Sequence, residues 1–227
     1  MFLQNKQTKG IGMKFKGVIF DLDGTLVNSL EDIAESMNKV LFRYGFETHD
    51  LQAYKYFIGN GIRNLVREAL PQSSREDELI SKCFASMMEE YRDHCTDKTK
   101  PYPGIGELLD ELTKHNIRLS VFSNKVDELT KQVVSTLLPN WNFEVVIGAS
   151  PDIPRKPNPE GAFLISEKLR IPPSDLIYLG DTGIDMHTAT SAGMYAVGVL
   201  WGYRTEEELI SNGAKSLIFH PLDLIKL

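Results

Sequence analysis

The sequence predicts an α/β fold, a parallel sheet interrupted by one inserted helical block. Three observations carry that prediction. The apolar run Gly17–Phe20 has the β-branched and aromatic content of a buried strand. From Ser29 to Thr99, about seventy residues, no strand pattern occurs. Beyond the proline-rich stretch Lys100-Pro101-Tyr102-Pro103-Gly104, strand and helix patterns alternate, as βαβ units require.

The elements follow in order. Asn28–Tyr44 reads as a helix, with Ser29 as a cap, Asp32 at the third helical position and an apolar stripe of Ile33, Met37, Val40, Leu41 and Tyr44. Gly45 supplies its stop. Helical pieces follow at Leu51–Phe57, at Ile62–Leu70 after Gly59-Asn60-Gly61, and from Arg75 to about Asp93. After the junction come strand Ile117–Phe122, helix Val126–Leu137, strand Phe143–Ile147 and helix Pro159–Leu169. Strand Leu176–Leu179, helix Ile184–Ala192, strand Tyr195–Leu200, helix Thr205–Ser211 and strand Ser216–Phe219 complete the series. The first strand most simply joins the later ones in a single sheet. The expected organisation is therefore a core of 13–28 and 100–227, a helical cap of 29–99 over the strand ends, and residues 1–12 as a candidate disordered lead. Met13 is a candidate alternative start.

Composition narrows the function. A chain of 227 residues with 42% hydrophobic and 25% charged residues can bury a core without staples. Its formal charge of −6 argues against a nucleic-acid-binding module, whose phosphate contacts call for a basic surface. The two cysteines, Cys83 and Cys95, match neither a disulfide scaffold nor a common zinc spacing. No run reaches membrane-spanning length and the first residues lack a signal-peptide core, so the expected setting is cytoplasmic.

The chemistry begins at Asp21 and Asp23, two apart where the first strand ends. An isolated DxDG is also the composition of a solvated turn. Here, however, Ser123-Asn124-Lys125 ends a second strand and Gly180-Asp181-Thr182-Gly183-Ile184-Asp185 ends a third, with Arg155-Lys156-Pro157 between them. In a parallel sheet these C-terminal ends share one edge, so the clusters can converge. Paired carboxylates there repel each other, and Mg²⁺ relieves the repulsion through oxygen ligands. A carboxylate can also attack phosphorus; Asp21 is the candidate nucleophile and Asp23 the candidate acid and base. Asp181 is a third acidic ligand for Mg²⁺, beside Asp21 and the carbonyl of Asp23, with Asp185 either a ligand or the residue that orients Lys156. Ser123 can hold a phosphoryl oxygen, and Lys156 can neutralise charge and hold Asp21. The N–H groups of Leu22 and Asp23 would complete a phosphate cradle. Gly24 and Thr25 in the same turn, and Asn124 and Lys125, are further candidates for phosphate or substrate contact.

The order DLDGT, Ser123, Lys156, GDTGID resembles the four motifs of the haloacid dehalogenase-like hydrolase superfamily, from about Phe15 to Val199. The resemblance implies a Rossmann-like core, Mg²⁺ dependence, an aspartyl-phosphate intermediate and a cap of the family's first, helical type. Dehalogenating members lack an acid two residues after the nucleophile, so Asp23 points to phosphate. Ile58-Gly59-Asn60-Gly61, Leu65, Arg67-Glu68-Ala69-Leu70 and Ser123-Asn124-Lys125 resemble the phosphoglycolate phosphatase subgroup. That likeness implies a cap loop that reads the substrate beyond its phosphate, with Gly59 and Gly61 permitting the tight backbone and Arg63 meeting a carboxylate.

The expected partner is a small phosphorylated metabolite, phosphoglycolate foremost, with no nucleic acid and no membrane, and the assembly a monomer or homodimer. A β-phosphoglucomutase-like mutase, a pyrophosphatase and a non-enzymatic phosphate-sensing module are the rival readings.

Overall fold

The computed structural model describes residues 15–227, so the expectations for residues 1–12 and Met13 lie outside the described residues. In chain order the elements are β1 (Gly17–Phe20), β2 (Val27–Asn28), α1 (Leu30–Arg43), α2 (Leu51–Phe57), α3 (Ile62–Ala69), α4 (Asp77–His94), β3 (Lys100–Pro101) and α5 (Ile105–Lys114). There follow β4 (Arg118–Val126), α6 (Asp127–Leu137), β5 (Phe143–Ala149), α7 (Glu160–Leu169), β6 (Leu176–Gly180), α8 (Gly183–Ser191), β7 (Tyr195–Val199), α9 (Glu206–Ser211) and β8 (Ser216–Ile218).

Six strands form one sheet in the order β5-β4-β1-β6-β7-β8, and every pairing within it is parallel. β1 is buried along its whole length, as a strand covered by helices on both faces must be. The chain adds β4 and β5 on one side of β1, then crosses to add β6, β7 and β8 on the other. That reversal opens a crevice at the carboxyl ends of β1, β4 and β6.

All four helices from α1 to α4 lie between β2 and β3. These two short strands pair antiparallel, Val27 with Pro101 and Asn28 with Lys100, so the helical block leaves and re-enters the sheet region at one place. On the face of the sheet nearer the block, Val18, Phe20 and Leu179 belong to a continuous apolar cluster with Met37, Leu65 and Leu109. Ile19, Tyr178 and Met186 anchor a second cluster on the opposite face. No helix among the described residues is long and apolar enough to cross a membrane.

The structure differs from the sequence reading in local detail. α5 went unanticipated, although Ile105, Leu108, Leu109 and Leu112 follow helical spacing and are all buried. β4 runs on to Val126 rather than stopping at Phe122, with a register irregularity against β5 between the two. Ser29 occupies the N-cap position of α1 but makes no side-chain cap bond; its hydroxyl donates to Asp23 Oδ1 at 2.6 Å. Asp32 does sit at the third helical position, yet its carboxylate accepts from Lys98 N, Thr99 N and Thr99 Oγ1, fastening the returning chain to α1.

Candidate active site

Five strand-end segments meet above the sheet. Asp21 follows β1, Ser123-Asn124-Lys125 closes β4, the long loop after β5 carries Lys156, Asp181 follows β6, and Tyr203 and Arg204 follow β7. Over them lies the loop from Ile58 to Gly61, between α2 and α3.

Lys156 is the hub of the acidic end. Its ammonium stands 2.7 Å from Asp21 Oδ1 and 2.7 Å from Asp185 Oδ1, with almost no solvent access. Asp185 is itself held by the start of α8, where Thr182 N and Oγ1 both donate to its Oδ2 and the Asp185 N–H returns to Thr182 Oγ1. Asp181 accepts from Tyr203 N at 2.8 Å and, more weakly, from Thr25 Oγ1 at 3.4 Å. Two glycines make room for it: a Cβ on Gly24 would lie 2.3 Å from Asp181 Oδ2, and one on Gly202 would lie 2.2 Å from Asp181 Cβ.

Electrostatics follow from this burial. Asp21 is pushed up to about 7, first by burial and then by Asp185, while Lys156 pulls the other way. Asp181 is driven well above the ordinary carboxylate range by burial, then by Asp185 and Asp21. Burial alone would lower Lys156, but the Asp185 and Asp21 carboxylates outweigh it and hold the ammonium well above its ordinary value. One ammonium among three buried carboxylates leaves negative charge in excess. Asp21, Asp181 and Asp185 each bring an oxygen within 4.8 Å of the others. That hard, oxygen-only, anionic donor set fits a divalent metal ion.

The Asp23 side chain is not part of this acidic cluster. Lys125 Nζ donates to both its oxygens at 2.9 Å and to Tyr91 Oη at 2.7 Å. Lys125 is buried. Tyr91, on α4, is also fully buried; burial, and then Asp23, keep its hydroxyl well above the ordinary phenol range.

Asn124 works as a bracket. Its amide nitrogen donates to Gly59 O at 2.9 Å and Lys156 O at 3.1 Å, and its amide oxygen accepts from Lys156 N at 2.9 Å. Arg204 is a second tie. It donates to the carbonyls of Lys55 and of Ile58, the latter at 2.9 Å, which caps the C-terminal end of α2.

The cavity measures about 40 Å³ and is partly open to solvent. At roughly 10–15 Å³ for each water, that is room for only a few small groups. Asp21, Asp23, Ser123, Asn124, Lys125, Lys156, Gly59 and Gly61 all line it, under an apolar roof of Ile33, Ile58, Ile62 and Leu65. Gly59 and Gly61 have φ of 118° and 83°, the positive values expected of this loop.

Other expected contacts fall outside the cavity lining. The Leu22 side chain is buried in the apolar core. Neither Leu22 nor Asp23 donates its N–H to another backbone group among the described residues, whereas Gly24, Thr25, Leu26 and Val27 close the turn. Gly24 packs on Asp181, and Thr25 spends its hydroxyl there and its carbonyl on Trp201 Nε1 at 3.0 Å. Asn60 is exposed. Arg63 is turned to the start of α4, 3.3 Å from Ser81 Oγ and 3.6 Å from Asp77 Oδ1. The reason is helical geometry: Ile62 and Leu65 share the face of α3 that lines the cavity, which leaves Arg63 on its flank.

Tyr91 and Thr182 escaped the sequence reading as parts of this site. Tyr91 lies on an amphipathic helix far from any motif, where it reads as core. Thr182 lies inside a motif already noticed, and its place before Asp185 has the spacing of a cap. Arg204, which follows a strand end, meets the carbonyls of Lys55 and Ile58 and, at 3.5 Å, Glu208 Oε2.

Comparisons with known proteins agree with this geometry. The sequence profile of the family described as haloacid dehalogenase-like hydrolase matches residues 18–199. A phosphoglycolate phosphatase of Aquifex aeolicus is 32% identical over 214 residues, spanning 92% of this chain and 95% of that one. A phosphoglycolate phosphatase of Chromobacterium violaceum is 29% identical over 214 residues, spanning 93% and 96%. A crystal structure from Lactobacillus delbrueckii subsp. bulgaricus, of a predicted phosphoglycolate phosphatase, superposes with a TM-score of 0.88 at 28% identity, over 94% of this chain and 98% of that one.

Proposed function

The chain belongs to the haloacid dehalogenase-like hydrolases and is a phosphatase, and from that premise we propose that it hydrolyses phosphoglycolate through an aspartyl-phosphate on Asp21. The observation that carries the mechanism is the bridge from Lys156 to Asp21 and Asp185, at 2.7 Å each, at one end of the cavity under the loop from Ile58 to Gly61. The bridge fixes one Asp21 oxygen and leaves the other to attack. As the Asp21 oxygen bonds to phosphorus, the bond from phosphorus to the leaving oxygen breaks, and that oxygen takes a proton from Asp23. Water then attacks phosphorus, gives its proton to Asp23, and releases phosphate as the bond to Asp21 breaks. Ser123 holds a phosphoryl oxygen through both steps.

Mg²⁺ held by Asp21, Asp181 and the Asp23 carbonyl, with Asp185 at hand, would screen the acids and stabilise charge on the phosphoryl oxygens. Residues 29–99 act as a cap over a core of 13–28 and 100–227. The ties from Asn124 and Arg204 hold that cap down over the cavity. The related phosphoglycolate phosphatases support phosphoglycolate as the substrate.

The deciding experiment measures phosphate release, with Mg²⁺, from phosphoglycolate, pyrophosphate, hexose phosphates and nucleoside monophosphates. Phosphoglycolate is expected to give the highest kcat/KM. A higher value for pyrophosphate, or conversion of a hexose phosphate to its isomer without phosphate release, would overturn the reading.

A further inference from the structure

Lys125 has no hydrogen-bonding capacity to spare. Its three N–H groups meet three acceptors: Asp23 Oδ1 and Oδ2 at 2.9 Å each and Tyr91 Oη at 2.7 Å. Asp23 is occupied in turn, because Ser29 Oγ also donates to its Oδ1 at 2.6 Å. An acid held on both oxygens faces its lysine, not a leaving group. The other ammonium lining the cavity among the described residues, Lys156, is committed to Asp21 and Asp185. An anionic group that a substrate carries beyond its phosphate therefore competes with Asp23 for Lys125.

We propose that Tyr91 is the positioning residue of a carboxylate subsite: its hydroxyl fixes the Lys125 ammonium, so that a carboxylate on the leaving group replaces Asp23 there and frees Asp23 for the leaving oxygen. Tyr91 suits the task because it comes from α4, not from the strand ends that carry Lys125 and Asp23. It stays in place when Asp23 turns away. Its oxygen accepts one of the three N–H groups and leaves two, the number that a carboxylate can take side by side. A neutral leaving group offers nothing in exchange, and stripping a buried lysine of its carboxylate without replacement is costly. Selection for an anionic leaving group is thereby tied to the release of the acid. This rests on the phosphoglycolate reading above and adds the device that would select that substrate.

The test is steady-state kinetics with Mg²⁺ on phosphoglycolate and on its neutral amide, phosphoglycolamide, for wild type and Tyr91→Phe. Loss of the hydroxyl is expected to raise KM for phosphoglycolate about tenfold while kcat/KM for the amide falls only about twofold. An equal loss on both substrates overturns the proposal. Titration calorimetry supplies a second arm, comparing phosphonoacetate with ethylphosphonate on the Mg²⁺-loaded proteins. Wild type should prefer phosphonoacetate, and Tyr91→Phe should lose most of that preference; no preference in wild type, or an undiminished one in the variant, overturns it. If a melting curve shows Tyr91→Phe unfolded, the wild-type preference alone decides. If wild type hydrolyses other phosphate esters but neither of these two, the phosphoglycolate reading fails, and calorimetry still decides the subsite.

Discussion

Lys156 Nζ lies 2.7 Å from Asp21 Oδ1, and the same ammonium is shared with Asp185 at the same distance. The candidate nucleophile is thus held by a cation that is anchored elsewhere. Its orientation depends on α8 as much as on its own strand, because Asp185 is fixed by the cap of that helix.

Asp21→Asn should abolish turnover while leaving the fold intact. Hydrolysis of p-nitrophenyl phosphate is expected to fall by at least about 10³-fold, the scale for loss of a nucleophile. Near wild-type hydrolysis would show that Asp21 does not attack. The metal-free variant should also melt above metal-free wild type at pH 8, since it removes one of three mutually repelling buried acids. Each kcal/mol gained is worth about 2–4 °C at this chain length.

The metal-free protein should lose stability as pH rises from about 4 to about 7. Asp21 titrates near 7 when folded, above the unfolded value of about 4, so across that window the folded state binds more protons. Its contribution is fully present below the unfolded value and is lost as pH passes the folded one. Asp181 shifts in the same direction. Mg²⁺ favours the ionised acids, so its stabilisation should be larger at pH 8 than at pH 5. Melting curves in EDTA and in Mg²⁺ at both pH values test this; a gain that is equal or reversed counts against a metal site at these acids.

Lys156→Met should destabilise the protein by about 3–5 kcal/mol, the usual cost of stranding buried charge. Asp185→Asn on that background should restore part of the loss, because it removes one of the stranded carboxylates. Urea denaturation of the two single variants and the double variant supplies the cycle. Additive losses would mean that the bridge to Asp185 contributes little.

Arg204→Ala should loosen the loop over the cavity without unfolding the sheet. It removes the donors that satisfy the Lys55 and Ile58 carbonyls at the end of α2. Capping of this kind is worth up to about 2 kcal/mol, so KM should rise by up to about thirtyfold. Hydrogen exchange in residues 51–61 should accelerate while β1 and β6 stay protected. Unchanged exchange in that segment would show that Arg204 is not its anchor.

Much of this architecture was legible in the sequence because strands buried on both faces are written as continuous apolar runs. Gly17–Phe20 and Leu176–Leu179 could be nothing else once helices flanked them. The acids and Lys156 were legible because each stands where a strand or its loop reaches the shared edge. The partnerships were not. Nothing local says that Lys125 would be buried on Asp23, or that Asn124 would bracket Gly59 and Lys156, since both joins depend on how the helical block seats. Arg63 shows the same limit: a helix reading fixes which residues share a face, but not which face turns inward. β2 and β3 were missed for a different reason. A two-residue strand has no periodicity to detect, and it exists only because its partner returns from about seventy residues away.

That pairing of Asn28 with Lys100 makes the whole helical block a loop in the topological sense, with both ends fastened side by side. The entropy of closing such a loop grows only with the logarithm of its length, about 0.6 kcal/mol per doubling. Longer, shorter or unrelated inserts can therefore be spliced between these two positions at little cost to the sheet's connectivity, provided they cover the apolar face left behind. The acids and Lys156 sit outside the splice. Such a chimera exchanges the substrate it admits while inheriting the bond it breaks.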